Sequence, residues 1–296
     1  EICILLETEL WPNLINLLNI KKIPIALVNA RLSQRSLAKY QKSSAKLARD
    51  TINKINLIAS QNERSSERFL ALGANPDTIH TTGSLKFDSN LSADAEISEN
   101  LRRIVGNRRV VVFASTRSGE EKEILQSYSK LNEKFDALLV IVPRHPERFD
   151  EVHKLITDNK LNVKRRSENK PCGDDTEILL GDSMGELMSY YSICDIAFIG
   201  GSLTRDGGQN MLEAAAVSKP VLFGPHVFNF EYISQLLLDY DGAVQVSDAN
   251  QLMQKIAELL LDEEKRVAIG KNAKKIIEDN RGTTKRLIEL LTPQID

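Results

Sequence analysis

The chain has 296 residues, 42% of them hydrophobic and 27% charged, with a formal net charge of −2. This is an ordinary globular composition sized for about two domains. It offers no bulk electrostatic reason to bind nucleic acid and no run of about 18 apolar residues to span a membrane. The three cysteines, Cys3, Cys172 and Cys194, form no CxxC pair and read as reduced thiols of a cytosolic protein.

An apolar run, Ile2–Leu6, predicts a buried parallel strand at the start, with neither Met nor a signal peptide before it. A parallel strand buried on both faces is a poor outermost element, so this pattern predicts that earlier strands of the sheet precede the sequence. Further strands are predicted at Pro24–Val28, Asn56–Ala59 and Ile79–Thr82. Helices are predicted at Trp11–Leu18, Ser36–Asn53 and Glu63–Leu72, the last stopped by Gly73. Alternation of this kind implies a parallel sheet. The sequence turns polar from 89 to 105, and the domain boundary is placed there, giving domains 1–90 and 91–296.

A second alternation follows. Its strands are predicted at Val110–Ala114, Ala137–Val142, Glu177–Leu180, Asp195–Ile199, Pro220–Phe223 and Ala243–Val246. Its helices are predicted at Gly119–Asn132, Glu147–Asn159, Met184–Tyr191, Met211–Val217, Tyr232–Leu238 and Ala249–Leu261. The charged, amphipathic stretch Glu263–Leu291 gives one or two terminal helices to the second domain. The expected architecture is α/β, with two Rossmann-like domains facing a cleft.

The stretch Cys194–Gly224 is the organising one. A buried strand breaks into Gly200-Gly201-Ser202, continues to Gly207-Gly208-Gln209-Asn210, and enters a helix carrying Glu213. Glycines allow close backbone approach, and helix-start N–H groups favour an anion, so the plan suits a phosphate, with Glu213 within reach of sugar hydroxyls. It is neither GxGxxG nor a P-loop. The plainer reading, that the glycines only turn the chain and Glu213 only solvates a helix, stands beside it.

Ligands in such folds collect at the carboxyl ends of strands, where four other stretches fall. Glu7 and Glu9 follow the first strand and, in extended chain, share a side suited to proton transfer or hydroxyl binding. Alternatively, Glu9 caps the helix near Pro12. Ser115, Thr116 and Arg117 end the first strand of the second half and suit an anion, while Ser118 with Glu121 also fits a capping box. Pro143-Arg144-His145-Pro146 sets a planar cation and an imidazole at a strand end. Asp182-Ser183-Met184-Gly185-Glu186 opens a helix whose free N–H groups suit a base edge or phosphate, or else supplies its cap. Asp239-Tyr240-Asp241 ends a helix, and His80 and His153 look incidental, so no metal site is expected.

Together these stretches resemble one family. Glu7-Thr8-Glu9-Leu10-Trp11-Pro12-Asn13, Asn29-Ala30-Arg31-Leu32-Ser33 with Arg35-Ser36, and Gly83–Asp88 look like the first half of 3-deoxy-D-manno-octulosonic acid (Kdo) transferases. Ala114-Ser115-Thr116 with Gly119-Glu120-Glu121, Pro143–Phe149, Met184–Leu187, Phe198–Leu203 and Gly207–Glu213 look like the second half. The resemblance implies a GT-B fold and inverting, metal-independent transfer of Kdo from CMP-Kdo to the lipid A precursor of lipopolysaccharide, with no cofactor. It places the enzyme peripherally on the cytoplasmic face of the inner membrane.

By that resemblance 1–90 is the acceptor-side domain, with Glu7 and Glu9 catalytic and Arg31, Ser33 and Arg35 meeting the acceptor. The donor side, 91–296, would use Ser115, Thr116, Arg117, Pro143, Arg144 and His145. It would also use Met184, Gly185 and Glu186 near the cytidine, and Gly200, Gly201, Ser202, Gly208, Asn210 and Glu213 around phosphate and ribose. Lys39, Lys42, Lys46 and Arg49, at helical spacing, suit anionic lipid or a solvated helix face. The family usually carries histidines where this chain has Arg117 and Gln209. Its first portion, with a membrane-associating segment and a general-base glutamate, is expected upstream of this sequence. A UDP-sugar transferase or epimerase and a non-catalytic nucleotide-binding module are the alternatives.

Overall fold

The computed structural model describes residues 1–43, 45–131 and 133–294, which form two compact units, Glu1–Ser89 with Asn280–Asp296, and Asn90–Asp279. The return of residues 280–296 to the first unit differs from the expectation that all terminal helices belong to the second.

In the first unit four parallel strands lie in the order β1-β2-β3-β4: β1 (Cys3–Leu6), β2 (Ile25–Ala30), β3 (Leu57–Ser60) and β4 (Ile79–Thr81). Four helices join them, α1 (Pro12–Ile20), α2 (Gln34–Ser43), α3 (Ala45–Ile52) and α4 (Glu63–Leu72). The single helix expected over 36–53 is thus described on either side of Ser44, which lies outside the described residues. Asn62 caps the N-terminus of α4, and Gly73 ends it at φ +100°, the left-handed conformation a glycine adopts without penalty.

One face of this sheet packs Leu5, Ile25, Leu27 and Ile58 against Ile15, Leu37, Ile52 and Phe69 of the helices. The other face, Ala26, Val28, Leu57 and Ala59, is covered by Leu287 of the returning helix. Two covered faces explain why β2 is apolar along most of its length and buried throughout. Strand β1 departs from the expected burial on both faces: at the sheet edge, only Leu5 is buried, while Ile4 and Leu6 are 47% and 52% exposed.

In the second unit seven parallel strands lie in the order β11-β10-β9-β5-β6-β8-β7. They are β5 (Val110–Thr116), β6 (Leu138–Pro143), β7 (Val163–Arg165), β8 (Ile178–Leu180), β9 (Ile196–Ile199), β10 (Val221–Phe223) and β11 (Ala243–Gln245). The helices are α5 (Ala95–Val105), α6 (Glu120–Ser129), α7 (Phe149–Asp158), α8 (Leu187–Ile193), α9 (Leu212–Ala216), α10 (Glu231–Asp239), α11 (Ala249–Leu261) and α12 (Glu263–Asn280). After them α13 (Thr283–Leu291) rejoins the first unit. The expected end of the α6 helix at Asn132 lies outside the described residues.

Two elements were not expected from the sequence. The polar stretch read as a linker holds α5, whose Leu101, Ile104 and Val105 are buried behind a charged outer face and whose N-terminus Asp94 caps. Strand β7 escapes an apolar pattern because it is three half-buried residues at the sheet edge.

Candidate active site

The chain runs outward from β5 through β6 and then crosses back to β9 on the other side of β5, so the connections diverge between β5 and β9. Loops leaving such adjacent strands in opposite directions open a crevice at their carboxyl ends. The two loops there are Ser115–Gly119 and Gly200–Gly208. Gly200 is obligatory in this packing: a Cβ on it would lie 2.6 Å from the Ser115 carbonyl oxygen and 2.7 Å from Thr116 Cα. Ser115 itself holds φ +55°, at a register irregularity between Ala114 and Thr116.

The two loops are joined by a carboxylate of the Gly119-Glu120-Glu121 motif, to which the sequence assigned no role of its own. Glu120, the first residue of α6, is fully buried and accepts from the backbone N–H groups of Gly201 (2.8 Å), Ser202 (3.1 Å), Leu203 (3.0 Å) and Arg117 (3.1 Å). Burial pushes its carboxyl up to about 7, against the pull of those four donors. This corrects the expectation that the glycine loop offers its amides to a phosphate: at Gly201 and Ser202 they are already committed to the protein's own anion. The Ser202 hydroxyl donates to the Ile199 carbonyl and accepts from the Gly224 N–H, so Ser202 is a structural pin rather than a ligand contact. Ser115 and Thr116 are likewise buried, and what Thr116 contributes is a carbonyl accepting from the Arg144 N–H.

What faces outward from this frame is side-chain chemistry. Arg117 donates from a terminal guanidinium nitrogen to His145 Nε2, leaving the imidazole proton on Nδ1, 3.8 Å from the Glu147 carboxylate. The Nε of Arg117 has no partner among the described residues. Around Gly201, a Cβ would stand 3.3 Å from Arg117 Cγ and 3.4 Å from both Gln209 Nε2 and Asp206. Arg117 and Gln209, the two departures from the pattern of the resembled family, therefore both flank Gly201. Gly208, at φ +75°, donates its N–H to the Gly201 carbonyl and holds the two glycine turns together.

Glu213 sits in the first turn of α9. Asn210 donates to it at 3.0 Å and also accepts the Leu212 N–H, so Asn210 orients Glu213 and ties the loop before the helix to its first residue. Burial raises the Glu213 carboxyl, and Asn210 and the charge of Arg144 work against that rise. Arg144, exposed after the buried Pro143, and Glu213 are thus electrostatic neighbours, one on the loop after β6 and the other at the start of α9.

Three expected contacts are otherwise engaged. The proposed capping box of Ser118 and Glu121 does not form: the N-cap of α6 is Gly119, and buried Glu121 accepts two hydrogen bonds from Arg148. Glu186, expected at the donor, is held by Arg166 at 2.9 and 3.0 Å and by the Ser183 hydroxyl. Asp182 accepts from Ser167 rather than capping a helix. Helix α8 starts at Leu187, later than expected, because Asp182, Ser183 and Glu186 are spent on these contacts. They leave Met184 60% exposed beside Gly185, which holds φ +81° with open space around it.

In the first unit, Glu7 is at φ +58°, so the extended geometry that would put Glu7 and Glu9 on one side ends there. Glu7 pairs with Arg31 at 3.2 Å, and Lys86 lies close enough to feel both. Burial holds the Lys86 amine below its usual range, with Glu7 opposing and Arg31 reinforcing that effect. Glu9 takes the indole N–H of Trp11 instead of capping α1. Ser33 accepts the Ser36 N–H and so opens α2, while Arg35 is exposed. Lys39 and Lys42 lie on α2, Lys46 and Arg49 on α3, and Arg49 packs over Gly73. Asp88 accepts the N–H groups of Gly282 and Thr284, so part of the Gly83–Asp88 motif anchors α13. Among the described residues no group of three or more His, Cys, Asp or Glu is placed to hold a metal ion, and no helix is long and apolar enough to cross a membrane.

Sequence signals for the missed residues differ. Paired acids opening a helix point to Glu120, and Lys86 stands inside the Gly83–Asp88 motif. Arg166 has no signal, because it follows an edge strand with no apolar pattern.

Comparison with known proteins gives matches to two family descriptions, 3-Deoxy-D-manno-octulosonic-acid transferase (kdotransferase) over residues 1–89 and Glycosyl transferases group 1 over residues 99–276. A 3-deoxy-D-manno-octulosonic acid transferase of Haemophilus influenzae is 40% identical over 305 residues, an alignment spanning 100% of this chain and 70% of that protein. The C-terminal CMP-Kdo binding domain of WaaA from Acinetobacter baumannii is similar at 34% identity and a TM-score of 0.58, over 62% of this chain and 98% of that one. A putative UDP-N-acetylglucosamine 2-epimerase from Listeria monocytogenes, 16% identical, has a TM-score of 0.64 over 98% of this chain and 74% of that one, a likeness of fold alone.

Proposed function

We propose, since this chain belongs to the 3-deoxy-D-manno-octulosonic acid (Kdo) transferase family, that its second unit holds CMP-Kdo at the carboxyl ends of β5, β6 and β9. The chain is a glycosyltransferase of the GT-B fold, and its reaction is Kdo transfer in lipopolysaccharide biosynthesis. The observation that carries the donor assignment is the Arg117–His145 contact beside Gly201 of the glycine loop, with Arg144, the residue before His145, acting electrostatically on Glu213.

The two guanidinium groups match the phosphate of a nucleotide monophosphate ester, and the carboxylate of Glu213 matches a pair of ribose hydroxyls. Exposed Met184 and Gly185 supply an open ledge for the base. As the acceptor hydroxyl gives its proton to a general base and its oxygen bonds to the anomeric carbon of Kdo, the bond from that carbon to the CMP phosphate oxygen breaks with inversion and CMP leaves with the bonding electron pair. Arg117 and Arg144 meet the negative charge arriving on CMP. The acceptor is the lipid A precursor, an acylated and phosphorylated disaccharide, and it sets the work at the cytoplasmic face of the inner membrane. Glu7, Arg31 and Lys86, with Arg35 and Glu9 at the surface nearby in sequence, form the polar side of the first unit that meets it. The reading needs no metal or cofactor, because side-chain cations supply the charge at the leaving group.

Calorimetric titration of the chain with CMP, with UMP as control, tests the donor assignment. Selective CMP binding that is lost in Arg144→Ala and Glu213→Ala, with circular dichroism unchanged, is the expected result. Equal binding of UMP would favour a UDP-sugar enzyme, and folded protein that binds neither nucleotide would overturn the assignment.

A further inference from the structure

We infer that Glu120 is a positioning residue of the donor site, an internal anion that fills the amide cradle of the glycine loop and thereby sets the place of Arg117. The inference rests on the donor-site reading above and adds a residue that never touches the ligand.

The cradle is built from two chain segments more than eighty residues apart in sequence. One carboxylate oxygen takes the N–H groups of Gly201 and Arg117, and the other takes those of Ser202 and Leu203. Consecutive amides converging on one point are the arrangement that in other proteins encloses a phosphate. Here the anion is supplied by the fold, at the start of α6 where a negative charge is favoured. The shared oxygen is the important one. It fixes the backbone of Arg117 relative to Gly201, and Gly201 offers only 3.3 Å between a would-be Cβ and Arg117 Cγ. The far end of Arg117 then reaches His145 on the loop after β6. One buried carboxylate therefore sets the spacing of loops from three strands, and the donor phosphate is met by side chains held in that spacing.

The ionised carboxylate is required for this, so CMP affinities are compared at about pH 8, above the value of about 7 to which burial pushes Glu120. A glutamine of the same shape keeps one acceptor oxygen and turns an NH2 group toward two N–H groups, so one half of the cradle opens. In Glu120→Gln the CMP dissociation constant should rise about tenfold or more. A structural role alone predicts a lower melting temperature with unchanged CMP affinity in the folded protein. The decisive readout is coupling with Arg117. In the Glu120→Gln/Arg117→Ala double variant the loss in CMP affinity should be clearly smaller than the sum of the single losses, because Glu120 acts through Arg117.

The titrations are run on the whole chain at a temperature where circular dichroism shows each variant folded. An unchanged CMP affinity in folded Glu120→Gln, or strictly additive losses, would overturn the inference. Failure of the wild-type chain to bind CMP would instead overturn the donor-site reading. If Glu120→Gln does not fold, Glu120→Asp takes its place under the same two criteria: it keeps both oxygens but withdraws them from the amides by one methylene.

Discussion

Arg148, at the end of a proline-led turn, donates two hydrogen bonds, 2.7 and 3.0 Å long, to the carboxylate of Glu121, which is wholly buried. Glu121 is the residue next to Glu120, so adjacent acids at the head of α6 serve two different loops. The guanidinium is itself only 11% exposed, and the glutamate side chain raises its already high pKa.

Breaking this pair leaves an uncompensated buried carboxylate. Arg148→Met should cost about 3–5 kcal/mol in urea denaturation. Replacing both partners with methionine should cost less than that, since no buried charge remains. A loss below about 1 kcal/mol in the single variant would show the pair to be solvated.

Asp88 ties α13 to the first unit by accepting from Gly282 and Thr284. Burial tends to raise its pKa, but the Thr284 and Gly282 donors and the Arg286 charge win, and the carboxyl lies below the ordinary aspartate value. A lowered folded-state pKa means stability that is present above the unfolded value and lost as pH falls through the folded one. Asp88→Ala should cost about 1 kcal/mol, by analogy with loss of a helix cap, and should expose the segment around Arg281 to protease. The variant should lack the acid-dependent loosening of the wild type. A protease-resistant variant would contradict this anchoring.

Glu120 gives the opposite pH dependence. Its folded-state pKa is raised from 4.5 to about 7, so the native state holds its proton more tightly than the unfolded chain. Its contribution to stability is full below the unfolded value and declines as pH rises toward about 7. Melting temperatures followed across that window should fall in the wild type relative to Glu120→Gln. Parallel curves would mean that the four N–H donors outweigh burial and keep the group ionised.

Asn210 holds Glu213 by one donated hydrogen bond. Without it the Glu213 carboxyl should rise further above its ordinary value, since Asn210 opposes the effect of burial. Asn210→Ala should weaken CMP binding about tenfold. The loss should be larger in a mildly acidic buffer than in a mildly alkaline one, because the acceptor carboxylate protonates as pH falls. Calorimetry in the two buffers decides this, and a pH-independent loss would assign Asn210 to direct ligand contact instead.

Local pattern made much of the architecture legible. Apolar runs such as Leu138–Val142 and Asp195–Ile199 read as strands because a parallel strand covered on both faces must be apolar along its length. Gly73 read as a helix end because its left-handed conformation has a single favoured residue type. The positions of Arg144, His145 and Glu213 at strand and helix ends followed from the same alternation. Helix α5 was hidden because three buried side chains among eleven residues leave a mostly polar sequence. Strand β7 was hidden because an edge strand needs little apolar pattern.

By itself the sequence determined the alternation of strands and helices, the family the chain resembles, and the loops that carry its chemistry. These depend on periodicity and turn chemistry within a few residues, which a linear reading contains. Only the tertiary structure decided which carboxylates face a ligand and which are consumed by the fold. Glu120 and Glu213 look alike as acids in the first turn of a helix. Yet one is closed in by amides from residues 201–203 and the other lies near Arg144, because strand order brings β9 back beside β5. A buried charge must find its partners wherever the fold delivers them, and for Glu120 most of them come from more than eighty residues away.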